Sequence, residues 1–176
     1  GILLRCYSKV YRRRKPTRLL SEYGEVLVQL RLLKKFDIGI PGGQSKADLL
    51  IINRKTHNQK YIEIKTSSYK NDEYGTGWGV ALNIKRCQKH KNKDFCYFNY
   101  LIFVTLNNSN HPYYIFSKEE IEKYKKYLRN RSKRFKASTH RLLISKIPNK
   151  KSTISDFELD LYKNRKYLNR WDKIKC

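Results

Sequence analysis

Two short apolar runs, Leu49-Leu50-Ile51-Ile52 and Tyr61-Ile62-Glu63-Ile64, flank the wholly polar segment Asn53-Arg54-Lys55-Thr56-His57-Asn58-Gln59-Lys60. This arrangement constrains the fold more than anything else in the chain. Each run is too short for a stable helix, rich in Ile and Leu and bounded by turn residues, so both read as buried strands joined in a hairpin. Side chains alternate along a strand, which puts Glu63 and Lys65 on one face and Ile62 and Ile64 on the other. Asp48 stands at the head of the first strand. A carboxylate and an ammonium two residues apart, on the strand beside one that opens at an aspartate, are costly in a sheet unless paired or bound to something. Two carboxylates together suit a divalent cation with oxygen ligands, Mg2+ above all. One alternative is that Glu63 and Lys65 form the solvated face of an edge strand, with Asp48 a strand-start turn residue; another is a structural ion pair between them, which does not explain Asp48.

A helix is predicted over residues 19–35, or from just after Pro16, because Leu20, Tyr23, Leu27 and Leu30 recur at helical spacing and Val26 and Leu33 widen the stripe. Ser21 could cap its start. Glu22 and Glu25 lie in its first turns, where acidic residues also suit the positive end of the helix dipole. The segment Phe36-Asp37-Ile38-Gly39-Ile40 follows as a strand, ended by Pro41-Gly42-Gly43.

Charge narrows the partner. Lys and Arg number 40 against 15 Asp and Glu, a formal +25 with a sequence pI near 10.0, which points to a polyanion. Residues 1–18 hold seven bases, among them Arg12, Arg13, Arg14 and Lys15, and no acid. Eight more bases, including Arg129, Arg131, Lys133 and Arg134, fall between Lys123 and Lys136. Both tracts read as phosphate contacts. Nothing approaches the ~20 apolar residues of a membrane span and no signal-peptide pattern is visible, so an intracellular protein without a membrane partner is expected. Cys6, Cys87, Cys96 and Cys176 form no framework, and Cys87, His90 and Cys96 match no standard zinc knuckle.

Downstream, residues 66–79 read as a polar, glycine-bearing loop and Val80-Ala81-Leu82-Asn83-Ile84 as an apolar run. Residues 85–94 read as a basic helix. Tyr100–Leu106 is the clearest buried strand, with Tyr113-Tyr114-Ile115-Phe116 as its hairpin partner. Ser117 and Glu120 make a capping box ahead of a helix to about Arg129. After a short apolar stretch at Leu142-Leu143-Ile144, Ser155 and Glu158 repeat that signature before a helix towards Trp171. The domain reading is a basic arm (1–18), a core (19–130) and a basic extension (131–176) that belongs to the same domain.

From Ser21 to Phe116 the residues resemble the PD-(D/E)XK nuclease superfamily, which includes restriction endonucleases and archaeal Holliday-junction resolvases. Ala47-Asp48 stands for the proline-aspartate element, without its proline, and Glu63-Ile64-Lys65 for the (D/E)XK element. In the resolvase-like members a helical acid precedes by about eleven positions the aromatic that opens the first strand. Here that spacing leads from Glu25 to Phe36, and so selects Glu25 over Glu22. The resemblance implies an α/β, restriction-endonuclease-like fold: a central mixed sheet of about five strands flanked by helices. It further implies that Glu25, Asp48, Glu63 and the backbone carbonyl of Ile64 ligate Mg2+, with Mn2+ able to substitute, and that Lys65 completes the catalytic set. The implied activity is metal-dependent hydrolysis of DNA phosphodiesters by an endonuclease, acting as a homodimer because one site per chain must cut two strands. The segments beyond a minimal core favour a sequence-reading enzyme of restriction or mobile-element type. A four-way-junction resolvase and a catalytically idle nucleic-acid-binding module are the alternatives.

Overall fold

A computed structural model of the chain describes residues 16–42, 47–72, 75–83, 98–106, 111–123, 139–148 and 166–176. The tracts at Arg12–Lys15 and Arg129–Arg134, the Cys87–Cys96 segment, residues 85–94 and the Ser155–Glu158 signature lie outside these residues.

One helix, α1 (Pro16–Leu32), precedes β1 (Asp37–Gly39), β2 (Leu49–Ile52) and β3 (Gln59–Ser68). Pro16 at the first helical position supplies a fixed φ where an N–H would have no intrahelical acceptor. The two apolar runs pair antiparallel as expected, with Leu49 opposite Ile62 and Ile52 opposite Gln59. Their loop is closed by the Asn53 side chain, whose Oδ1 accepts from the N–H groups of Lys55 (2.8 Å) and Thr56 (3.0 Å). His57 there takes a left-handed φ of 56°. Arg54 ties this loop to the end of α1, donating to the Leu33 carbonyl at 2.8 Å and to Asp37 at 2.9 Å.

After β4 (Lys70–Asp72) and β5 (Gly75–Asn83), β6 (Tyr100–Leu106) lies parallel to β3, and β7 (Tyr113–Ser117) returns antiparallel to β6. The result is a mixed five-stranded sheet in the order β1-β2-β3-β6-β7, flanked by helix. Along β6, Leu101 to Thr105 are buried without interruption, as in a strand covered on both faces. One face carries Leu49, Ile51, Ile62, Ile64, Ile102, Val104 and Ile115, against which Val28 and Leu32 of α1 and Ile174 pack. The capping box forms: Glu120 accepts from the Ser117 N–H at 2.9 Å while Ser117 Oγ accepts from the Glu120 N–H at 3.4 Å, and residues 118–123 are helical.

Two expectations are corrected. The buried stripe of α1 is Gly24, Val28 and Leu32, whereas Tyr23, Val26, Leu30 and Leu33 of the predicted stripe are exposed. The predicted loop 66–79 is largely strand, since β3 runs to Ser68 and β4 and β5 follow. These pair with β8 (Thr139–Pro148), which contains the apolar stretch at Leu142-Leu143-Ile144, as a second sheet in the order β4-β5-β8. The helix expected from Ser155 falls almost wholly outside the described residues; where the chain is described again it runs through turns at 166–169 and a 3-10 turn at Trp171–Lys173.

Candidate active site

β2 begins one residue after Asp48, and this fixes the aspartate. The β2–β3 ladder reaches its last residue pair at Leu49–Ile62, just beyond which the Asp48 N–H still donates to the Ile62 carbonyl at 3.0 Å. Ile64 N–H, the next β3 donor on that side, is taken by Asp48 Oδ2 at 2.6 Å. The side chain thus replaces a ladder partner where the chain leaves the sheet, and its carboxylate is locked beside the Glu63-Ile64-Lys65 backbone. Hydrogen bonds to an ionised acceptor of this kind are short and strong.

Glu63 and Lys65 share the β3 face that lies in register with Leu101 and Phe103 of β6. Glu63 is 4% exposed, so its charge sits in an apolar setting, and Lys65 Nζ pairs directly with its Oε1. An isolated carboxylate in such a place would be expensive; the ammonium makes it tolerable. Both the site reading and the ion-pair alternative predict this contact. Asp48 is what separates them, because its anchor puts a second carboxylate on the same three residues of backbone.

Glu25 arrives from the opposite face, the one α1 covers. It can do so because Gly24 is buried against Thr66: a Cβ added at Gly24 would lie 1.9 Å from Thr66 Oγ1. No other residue type permits that approach of helix to strand. Ser21, which sequence patterning offered as a cap, instead donates through Oγ to Glu25 Oε1 at 3.3 Å. Burial raises the Glu25 pKa above 4.5, and the negative charges of Asp48 and Glu22 raise it further, while the Ser21 hydrogen bond and the Lys65 ammonium act in the opposite sense. Glu25 therefore sits within electrostatic reach of both Asp48 and Lys65. Glu22 points elsewhere, forming an exposed ion pair with Arg18 at 3.1 Å.

The structure brings Asp48, Glu63, Ile64 and Lys65 together on adjacent strands and sets Glu25 at the helix side of them. Among the described residues, no three Asp, Glu, His or Cys side chains close into one group able to hold an ion. Strand alternation accounts for this, since Glu63 faces away from the helix that carries Glu25. Mg2+ commonly takes only one or two carboxylates and keeps several waters, so the oxygen-only donor set here fits it. Ser21, which donates to Glu25, and Thr66, against which Gly24 packs, were not identified as site residues from the sequence; the i, i+4 spacing of Ser21 and Glu25 was the available signal.

No family model and no curated protein matches the sequence. Among solved structures, the chain is similar to the bacterial homing endonuclease I-Ssp6803I, with a TM-score of 0.51 over 90% of this chain and 91% of that one, at 15% identity. At that identity the likeness is one of fold, and it extends over nearly the full length of both chains.

Proposed function

We propose that the protein is a metal-dependent DNA endonuclease of the PD-(D/E)XK type, reading sequence in the manner of a restriction or mobile-element enzyme. The observation that carries this is the anchoring of Asp48 onto Ile64 N–H beside the buried Glu63–Lys65 pair. A fold shared with a homing endonuclease supports it, and so does a net charge of +25.

Asp48 and Glu63, with the Ile64 carbonyl, would hold Mg2+, which when bound polarises the scissile phosphate and lowers the pKa of a water. The chain's own part is to place and balance charge. Ile64 N–H holds the Asp48 carboxylate against β3. Lys65 offsets the Glu63 charge in the unloaded protein and, once Glu63 is engaged elsewhere, is released to orient the attacking water or to stabilise charge on the phosphate. Glu25 adds negative charge at the helix side, where burial first and the neighbouring Asp48 charge second raise its pKa, a cost that a bound cation would reduce.

Incubation with supercoiled plasmid, linear duplex and a synthetic four-way junction, each with Mg2+ or with EDTA, tests the proposal. Discrete fragments that need Mg2+ are expected. Symmetric nicks confined to the junction would assign a resolvase instead, and no cleavage of any substrate would leave a binding module.

A further inference from the structure

The outward face of α1 carries a row of large apolar side chains. Tyr23, Val26 and Leu30 on one side of the 17-residue helix, and Leu33 just past its end, are 47%, 51%, 59% and 46% exposed, at spacings of three and four residues. At one end of the row His111 stands edge-on to the Tyr23 ring, 5.9 Å between centroids, and leaves the tyrosine about half exposed. Half-exposed groups of this size offer on the order of 300–400 Å2 of contiguous apolar surface, the range in which the largest patch on a monomer is usually functional. The opposite face, Gly24, Val28 and Leu32, is the one turned to the core. A helix apolar on both sides is built to be covered twice.

The charge pattern says what covers it. The chain has 40 Lys and Arg in 176 residues, yet the twelve-residue run Leu19–Leu30 contains none, while it does contain Glu22 and Glu25. A polyanion meets no attraction there. A strongly basic protein does, and the clearing in the positive charge is where two copies of a +25 chain approach with least repulsion. We infer that this face of α1 is the interface of a homodimer in which two α1 helices pack antiparallel about a twofold axis. In that arrangement Val26 of one chain meets Leu30 of the other twice, and the basic end at Arg31, Lys34 and Lys35 runs beside the half that holds Glu22 and Glu25. Two such patches supply about 600–800 Å2 of apolar area, which with a polar rim reaches the ~1,200–2,000 Å2 of a stable interface.

Because α1 also carries Glu25, this dimer sets the spacing of the two candidate sites, a consequence that rests on the nuclease reading; the interface itself does not. Sedimentation equilibrium in about 0.15 M salt, where charge repulsion is screened beyond ~8 Å, tests it without nucleic acid or metal ion. The parent chain should sediment at twice its 21.2 kDa mass. Val26→Gln and Leu30→Gln should weaken the dimer at least tenfold with an unchanged circular-dichroism spectrum, since both residues are exposed. Ile40→Gln, a change at a 90% exposed residue off the helix, should leave the mass as it is. A parent chain that is monomeric at every concentration would overturn the inference while leaving the nuclease reading intact. Dimerisation unaffected by the α1 substitutions, or weakened equally in Ile40→Gln, would place the interface elsewhere.

Discussion

Replacing Gly24 with alanine adds one methyl group where the helix touches the sheet. The new Cβ would stand 1.9 Å from Thr66 Oγ1 and 2.9 Å from both Thr66 Cβ and Cγ2. Turning Thr66 about χ1 can move Oγ1 away, but Cβ stays in place, so relief needs a displacement of the helix or strand backbone. Crowding of this kind in a packed interior costs about 1–3 kcal/mol. Alanine in a helix interior recovers roughly 0.5–1 kcal/mol relative to glycine. A net loss of about 1–2 kcal/mol should follow, which for a chain of this size lowers Tm by roughly 2–8 °C. The larger effect should fall on Glu25, the next residue, because a misplacement of about 1 Å in a catalytic group can reduce rate ~100-fold. Thermal melts and plasmid cleavage would be measured on Gly24→Ala, Thr66→Ala and the pair. The double variant should recover part of both losses, since the two residues meet directly. Parent-like stability and cleavage in Gly24→Ala would refute the claim that this close approach positions the helical acid.

Asp48→Ala and Glu63→Ala should each abolish Mg2+-dependent cleavage with the fold retained, and Lys65→Ala should cripple it; full activity in purified Asp48→Ala would remove the site assignment. The raised pKa of Glu25 means that its contribution to stability is complete below about 4.5, its ordinary value, and is lost as pH rises through the folded value. Glu25→Gln should therefore gain metal-free stability over the parent across that interval, then hold a constant difference, in denaturant melts from about pH 4 to 8. Added Mg2+ should stabilise Glu25→Gln less than it stabilises Glu22→Gln; the reverse order would move the helical acid one turn. Variants with several bases of the Arg5–Arg18 and Lys123–Lys136 tracts replaced should show a shallower salt dependence of duplex affinity by fluorescence anisotropy, about one unit of slope for each phosphate no longer neutralised. An unchanged slope would show those tracts to be solvated.

The hairpin that carries the candidate site was legible because its residues agree: two short branched apolar runs joined by a wholly polar loop. β6, β7 and the Ser117–Glu120 box were legible for the same reason. The face of α1 was not. Periodicity detects an apolar stripe but cannot say which of two stripes meets the core, and here the core stripe contains a glycine that hydropathy discounts. The β4-β5-β8 sheet was hidden by composition, since Gly75-Thr76-Gly77-Trp78-Gly79 reads as loop until a partner strand is present to pair with it. Glycine weakens an isolated strand but does not prevent pairing. The packing of Ile174 into the core depends on neighbours more than a hundred residues away in the chain, as in the hydrogen bond from Asn53 to the Cys176 carbonyl at 2.9 Å, and local pattern carries no trace of such partners.

Each of the three carboxylates is held by something a search for acidic clusters does not see. Asp48 is fixed by a backbone N–H that the sheet would otherwise have left unpaired. Glu63 is buried beside a lysine that makes its charge tolerable, and Glu25 is brought in by a missing side chain at Gly24. Each device keeps negative charge near one short length of β3 at an energetic cost in the unloaded protein, visible in the raised pKa of Glu25 and in the Lys65 counter-charge. A purely structural role would be served as well by apolar residues of similar volume, since buried ion pairs seldom stabilise relative to such replacements. Retaining the charges makes sense when a cation binds among them, because its binding turns their mutual repulsion into affinity. In the proposed dimer, α1 would have two tasks: its inner face sets Glu25 against β3 through Gly24, and its outer face would meet a second chain.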